Sequence, residues 1–322
     1  MEAYGERKVN TTKFFNFERK ITMIKIKEML KDTKFWIFIL IVIAFFGIFI
    51  KMDYATDTYC VFGTPASQMI QHFIKSGRFV TAASQGFLTL IHSGNEVAYL
   101  LSITLALIAT GVSIYKLYKI FEEDIPYSII AGLASILIII NAFSIELYLF
   151  LEKGILMLSV LLCVLAFEKM LSFFKGENKI KSILLAFIYM IMANFSYQGT
   201  VALFVALCCI YIVKHSKSVK SFIINNIITG ICYGIPALIN YLTVKFVFGN
   251  TRVSGEYNLL LSIEKIWLNT KEMMTYTYKI LPQYLFIAIF GILGITCIIC
   301  LIMKKEEKIP PTVERKNTYF YY

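Results

Sequence analysis

Long apolar runs without a charged side chain constrain this chain more than any other feature of its sequence. The first run, residues 35–50, contains only Phe, Trp, Ile, Leu, Val, Ala and Gly. Such runs approach the roughly 20 apolar residues with which a helix crosses a bilayer. The 322-residue chain is 58% hydrophobic and 16% charged, whereas soluble domains contain about 25% charged residues. These values exclude an ordinary water-soluble enzyme, a disordered chain and a disulfide scaffold.

The hydropathy pattern predicts an all-α polytopic membrane protein with about eight transmembrane helices. Strands of a membrane barrel would appear as short segments of alternating hydrophobicity, unlike these unbroken runs. A polar turn from Asn194 to Gly199 separates the fifth span from the sixth, and Pro236 predicts a kink or a steep tilt in the seventh. The predicted spans are residues 35–51, 97–116, 127–147, 150–170, 183–198, 199–214, 221–248 and 284–303.

The distribution of basic residues predicts that both termini are cytoplasmic. Segments on the side of the N-terminus carry 23 of the 32 lysines and arginines, the excess that is typical of cytoplasmic loops. We expect a basic cytoplasmic segment over residues 1–34, a transmembrane domain over residues 35–303 and a cytoplasmic tail over residues 304–322. The net charge of +11 then reflects topology and attraction to anionic lipid. Nucleic acid is not an expected partner.

The sequence contains no motif that requires a cofactor. Cys297 and Cys300 have the C-x-x-C spacing of some metal sites, but they lie in an apolar span without further ligands. Walker A, G-x-S-x-G and H-E-x-x-H motifs are all missing. No metal ligand set is predicted, although the sequence is compatible with a divalent cation.

Two carboxylates follow the first span directly, at the start of a long outer loop over residues 51–96. They are Asp53 and Asp57. Two interpretations stay open: a carboxylate site beside the lipid headgroups, or aspartates that only solvate the end of the span.

The same loop contains the sequence signals of a short interfacial helix. Thr64 and Pro65 are typical of an N-cap and a first helical residue, and Gly77 is typical of a C-terminal cap. The apolar residues between them form one stripe, which predicts a helix that lies along the membrane surface. A second amphipathic stretch follows over residues 78–91.

More polar residues are predicted at the same outer level. Glu146 ends the third span and Lys153 begins the fourth, and on a continuous helix they would share a face. Tyr197 and Gln198 lie in the tight turn, and Arg252 lies in the second long outer loop. Ionisable groups at a membrane boundary often mark a functional site.

Three short motifs, in this order, resemble the serotype-converting glucosyltransferase II family. They are Asp57-Thr58-Tyr59 after the first span, Ser76-Gly77-Arg78 after the loop helix, and Tyr197-Gln198-Gly199 in the tight turn. Phe143-Ser144-Ile145-Glu146 also resembles the family, and the resemblance covers roughly residues 35–250. It implies the architecture of GT-C integral-membrane glycosyltransferases. Such enzymes transfer a sugar from a polyprenyl phosphate outside the membrane, with an acidic residue of the first outer loop as base.

The implied chemistry assigns roles to these residues. An inverting transfer needs one carboxylate to accept the proton of the attacking hydroxyl, and the phosphate leaving group needs no acid. Asp57 is the expected base, with Asp53 as an assistant or a metal ligand. Cations must hold the phosphate. The candidates are Arg78, Lys153 and Arg252 for the phosphate, and Tyr59, Glu146, Tyr197 and Gln198 for contacts with sugar or phosphate.

The expected protein is therefore a hexosyltransferase of a bacterial plasma membrane. Its donor would be a polyprenyl-phosphate sugar, with glucose as the expected hexose, and its acceptor a glycan such as O-antigen, surface polysaccharide or teichoic acid. The alternatives are a flippase or transporter for a polyprenyl-linked sugar or another polar solute, and a polymerase or ligase of surface polysaccharide. An outer groove roofed by the loop helices would favour the transferase, whereas a central cavity that reaches both sides would favour transport.

Overall fold

The computed structural model describes residues 24, 26–51, 63–216, 218–247, 264–265, 267–268 and 271–272. Within these residues the fold consists of helices and the turns between them. The chain divides into two compact units, Met1–Ser254 and Gly255–Tyr322. Ten α-helices of the first unit have both of their ends among the described residues. They are α1 (Thr33–Phe46), α2 (Ala66–Lys75), α3 (Phe79–Leu90), α4 (Asn95–Glu122), α5 (Ser128–Ile139), α6 (Ala142–Tyr148), α7 (Lys153–Phe174), α8 (Lys179–Ser196), α9 (Ala202–His215) and α10 (Val219–Leu242).

Six apolar segments in the described ranges are long enough to cross a bilayer, so the protein is a helical, multi-pass membrane protein. They correspond to α1, α4, α7, α8, α9 and α10 with their adjoining 3₁₀ or π turns. Six of the eight predicted spans thus match observed helices. The eighth, residues 284–303, lies outside the described residues, as do residues 1–23 and the tail over residues 304–322.

The third predicted span, residues 127–147, is not one continuous helix. Asn141 has extended backbone angles, and its side chain accepts hydrogen bonds from the backbone N–H groups of Phe143 and Ser144. The Ser144 side chain accepts in return from the Asn141 N–H, which completes a capping box. This cap begins a new helix at Ala142 and divides the segment into α5 and α6.

Helix α7 occupies the centre of the bundle. It packs against α4 on one side and α8 on the other, with α9 also in contact, while α1 and α5 pack on α4 and α10 packs on α8 and α9. Gly154 allows the backbones of α7 and α4 to lie close together, because a Cβ at Gly154 would lie 2.7 Å from the Ser102 carbonyl oxygen of α4. The apolar side chains between these helices form one continuous core.

Ion pairs join several helix termini at one end of the bundle, which we call the charged end. They connect the start of α1 with the C-terminal ends of α4, α7 and α9. Helices α4, α7 and α9 therefore all end at the charged end, and α5 with α6 leads the chain from the end of α4 back to the start of α7. The pairs are Lys34–Glu122, Lys119–Asp32, Lys116–Glu168, Lys175–Glu123 and Lys214–Asp124. The opposite end carries α2 and α3, and we call it the hairpin end.

The two helices of the first loop form as the sequence predicts, with one difference at the first cap. Pro65, not Thr64, is the N-cap residue of α2, and its carbonyl accepts from the N–H groups of Gln68 and Met69. Helix α3 covers the second amphipathic stretch. Pro236 lies inside α10, and α10 continues into a π turn over Thr243–Val247.

Candidate functional site at the hairpin end

The turn between α2 and α3 has the geometry that its glycine requires. Gly77 has a φ of +74°, and the N–H groups of Gly77 and Arg78 donate to the carbonyls of Ile74 and Phe73. This is a Schellman motif, in which a glycine in the left-handed region closes the helix. The predicted C-terminal cap at Gly77 is confirmed, and the motif positions Arg78 immediately before α3.

Two amides from distant helices hold this turn. The Gln198 side chain donates to the carbonyls of Ser76 (3.2 Å) and Gly77 (3.1 Å). Asn240 of α10, which is buried, donates to the Gly77 carbonyl (2.8 Å) and to the Asn194 carbonyl (3.1 Å). Two of the sequence motifs, 76–78 and 197–199, therefore meet directly.

The turn that carries Gln198 is itself fixed to the bundle core. Helix α8 ends at Ser196, Tyr197 is extended, and Gln198–Thr200 form a short 3₁₀ helix before α9. The buried hydroxyl of Ser159 on α7 lies 3.1 Å from the Ala193 carbonyl and also bonds with the Thr200 hydroxyl. The polar turn predicted between the fifth and sixth spans is confirmed.

Arg78 extends from the glycine turn to two partners. Its Nη1 lies 3.3 Å from Glu152 Oε1, and its guanidinium carbon lies 4.7 Å from the centroid of the Tyr197 ring. The side chains of Arg78 and Glu152 are 24% and 13% exposed. A partly buried guanidinium that stacks on an aromatic face keeps its orientation, and it retains further N–H donors for an anion.

Lys153 begins α7 beside this pair and is fully buried. Its Nζ lies 3.8 Å from the centroid of the Tyr99 ring. The Tyr99 hydroxyl lies within hydrogen-bonding distance of the carbonyls of Phe49 and Lys51. Tyr99 thus links the buried ammonium to the end of the first span, immediately before the segment that contains Asp53.

Two cavities lie side by side under the α2–α3 hairpin. The first, the apolar chamber, has a volume of about 200 Å³ and is lined mainly by apolar side chains, with Thr81 and Glu152 among its polar residues. The second, the polar chamber, has a volume of about 360 Å³. The chambers share Gln85, Leu88, Ala98 and Leu151. The polar chamber is also lined by Thr64, Thr89, His92, Ser93 and Asn95.

The structure joins three of the nine predicted site residues at the hairpin end. Arg78 contacts Tyr197, and Gln198 holds the turn before Arg78. Lys153 follows Glu152, the ion-pair partner of Arg78, in the sequence. Asp53, Asp57, Tyr59 and Arg252 lie outside the described residues.

Glu146 and Lys153 do not share one helix. Helix α6 ends at Tyr148 and α7 begins at Lys153, with a turn over residues 149–152 between them, so the shared face that a continuous helix would give does not form. Glu146 is exposed on α6.

Three residues of the site are not among the sequence-based candidates. Glu152 pairs with Arg78, Tyr99 covers Lys153, and Asn240 binds the glycine turn. Asn240 had a usable signal, because a polar side chain inside an apolar span needs a hydrogen-bond partner. No sequence signal singles out Tyr99, since tyrosine is common near a membrane interface.

No group of three or more His, Cys, Asp or Glu side chains within the described ranges could hold a metal ion. Comparisons of the chain with family models, with curated proteins and with solved structures give no match.

Proposed function

We propose that this protein is a membrane glycosyltransferase that moves a hexose from a polyprenyl-phosphate donor to a glycan outside the cytoplasm, with inversion. The observation that supports it most is the contact between the 76–78 and 197–199 motifs beside Glu152 and Lys153. These segments are far apart in sequence, and Arg78, which the proposal assigns to the donor phosphate, lies where they meet.

In this proposal, Arg78 and Lys153 hold the donor phosphate. A buried ammonium is costly, and the membrane boundary is a place where such groups are kept for function. The ion pair with Glu152 engages Nη1 of Arg78, whereas a guanidinium has five N–H donors and suits phosphate. The transferred hexose leaves a phosphate, which is already a stable anion.

The general base comes from the segment that follows Lys51. Asp57 is the proposed base and Asp53 its assistant. The Tyr99 hydroxyl fixes the Lys51 carbonyl beside Lys153, so the chain enters this segment next to the proposed phosphate site. A divalent cation is compatible with the proposal but is not required by it.

The positions of three cavities among the described residues favour this proposal over a transporter. Both chambers lie under the hairpin at one end of the bundle, and a third cavity is lined by Asn141 and Gly199 near the same end. A transporter would instead place its binding site near the midplane, between broken helices.

A transfer assay tests the proposal directly. Purified full-length protein in lipid nanodiscs is incubated with radiolabelled polyprenyl-phosphate glucose and with bacterial surface glycans. We expect label to move to glycan in the wild type. Arg78→Gln should weaken donor affinity about tenfold or more, because a hydrogen bond to a charged group contributes about 1.5–3 kcal/mol.

Lys175→Gln is the matched control, since Lys175 forms an ion pair with Glu123 at the charged end. It should leave donor affinity unchanged. Failure of the wild type to transfer any of several lipid-linked hexoses, together with accumulation of one of them inside sealed vesicles, would contradict the proposal in favour of a flippase.

A further inference from the structure

The polar chamber differs chemically from the charged pair beside it. Its described polar lining consists of hydroxyls, carboxamides and one imidazole, from Thr64, Gln85, Thr89, His92, Ser93 and Asn95. No Asp, Glu, Lys or Arg occurs among these described lining residues. Arg78 and Glu152 pair one chamber away.

Several lining groups already donate their protons to the backbone. The Thr89 hydroxyl donates to the Gln85 carbonyl (2.8 Å), and the Ser93 hydroxyl donates to the Gly94 carbonyl (3.2 Å). His92 Nδ1 lies 3.1 Å from the Thr89 carbonyl, and a carbonyl only accepts, so Nδ1 is the donor in this contact. What remains on the Thr89 and Ser93 hydroxyls is acceptor capacity.

Hydrogen-bond acceptors in a cavity favour a ligand that carries hydrogen-bond donors. A phosphate or carboxylate has only acceptors and would meet no countercharge in the described lining, which costs desolvation free energy. A sugar hydroxyl donates and accepts, and the carboxamides of Gln85 and Asn95 can serve both roles. The lining therefore favours a neutral ligand that is rich in hydroxyl groups.

The position of the chamber relates this ligand to the reaction. It shares Gln85 and Leu151 with the apolar chamber, which Glu152 also lines. We infer that the polar chamber is the acceptor site and that it takes a neutral glycan, not a polyanion such as teichoic acid or an acidic polysaccharide. This inference rests on the proposed function.

Saccharide binding, measured without transfer, tests the inference. Wild-type protein in nanodiscs is titrated with maltose, N,N′-diacetylchitobiose, glycerol phosphate and galacturonate, and binding is followed by saturation-transfer-difference NMR. We expect the two neutral disaccharides to bind and the two anions not to compete with them. Thr89→Val should weaken disaccharide binding about two- to tenfold, which is the range for one hydrogen bond.

Thr243→Val is the matched control. Thr243 also donates from Oγ1 to the carbonyl four residues earlier (2.8 Å), but it lies after α10 and does not line the chamber. It should not change binding. Gln85→Leu provides a second chamber variant if Thr89→Val unfolds, and it should also weaken disaccharide binding.

The outcomes separate this inference from the proposed function. Tighter binding of the anions, or equal weakening by the Thr89 and Thr243 variants, would overturn the acceptor assignment while transfer could still be observed. Disaccharide binding that the chamber variants abolish, in a protein that transfers no lipid-linked hexose, would support the chamber's ligand class and contradict the transferase.

Discussion

An aspartate that accepts a proton and an aspartate that only solvates a helix end respond differently to replacement by asparagine. Asparagine keeps the size and the hydrogen bonding of Asp57 but removes the proton acceptor. If Asp57 is the base, Asp57→Asn should lower single-turnover transfer about 10²- to 10⁴-fold. Donor affinity should change little, because cations hold the phosphate. Rapid-quench transfer and equilibrium donor binding measure the two effects.

Asp53→Asn is the control for this prediction. It should reduce transfer less than Asp57→Asn does, and both variants should keep their thermal stability within about 0.5 kcal/mol. Near wild-type transfer by both folded variants would show that neither carboxylate is the base. Loss of donor binding with Asp57→Asn would instead indicate a metal ligand that bridges to phosphate.

The contribution of the turn before Arg78 can be tested because a second glycine in the chain has the same backbone conformation. Gly77 and Gly176 both close Schellman motifs, with φ of +74° and +86°. A Cβ on Gly77 would collide with the amides of Asn240 and Gln198, whereas one on Gly176 would meet only the Lys179 side chain at 3.8 Å. Both alanine variants have left-handed strain, but only the first disturbs the contact between the two motifs.

Gly176→Ala should cost about 1–2 kcal/mol from strain alone. Gly77→Ala should cost about 1–3 kcal/mol more, which is the range for overpacking, and it should also weaken donor affinity by displacing Arg78. Unfolding in mixed micelles and donor binding measure both quantities. Equal destabilisation of the two variants would mean that the Gln198 and Asn240 amides move aside at no cost.

At the scale of single elements, the N-cap residue of α1, Asp32, makes the stability of the charged end depend on pH. Asp32 accepts from the Lys34 N–H (3.0 Å), the Tyr115 hydroxyl (2.9 Å) and Lys119 Nζ (3.2 Å). Burial alone would raise the pKa of Asp32, but these bonds outweigh burial and lower the pKa. A carboxylate with a lowered pKa stabilises the fold above its unfolded pKa of about 3.9 and loses that stabilisation as the pH falls through its folded pKa.

Asp32→Asn should therefore be less stable than the wild type at pH 7 by up to about 1 kcal/mol, since the side chain is partly exposed. The difference should shrink as the pH falls below about 4. Asp32→Ala, which also loses the cap, should cost about 1 kcal/mol more at both pH values. Thermal unfolding in detergent at pH 7 and pH 3.5 gives these differences, and a constant gap between wild type and Asp32→Asn would contradict them.

Helix positions follow from the sequence because they depend on local rules. Long apolar runs fix α4, α7 and α10, and the left-handed preference of glycine fixes the end of α2 at Gly77. The break at Asn141 was also local, since an asparagine followed three residues later by a serine forms a capping box. The hydropathy of the surrounding isoleucines outweighs that signal, so the sequence predicts residues 127–147 as one span.

The composition of the site depends on tertiary contacts, and the sequence predicts less of it. Arg78 and Tyr197 are 119 residues apart, and their contact requires α3 to lie against the end of α8. Thr81 donates to the Ser196 carbonyl there, and Phe79 packs edge-on against Phe195. No sequence spacing encodes such a contact. Glu152 as the partner of Arg78 could be found only once these helices were assembled.

At the scale of the described bundle, the larger set of ion pairs and the two chambers lie at opposite ends. The charged end contains ion pairs between Lys34, Lys119 and Lys175 and their carboxylate partners, and the hairpin end contains both chambers. If the positive-inside rule holds, the charged end is cytoplasmic and the chambers face outward. A lipid-linked donor and an external glycan could then meet at the hairpin end.

Cysteine labelling on intact cells tests this orientation. Ser67 on α2 and Ser218 before α10 are both exposed and lie at opposite ends. Each is changed to cysteine in a background with Cys60→Ser, because Cys60 lies in the predicted outer loop. A membrane-impermeant maleimide should label Ser67→Cys on intact cells and label Ser218→Cys only after permeabilisation. The reverse pattern would place the chambers in the cytoplasm, where nucleotide sugars are available, and would remove the reason for a polyprenyl-phosphate donor.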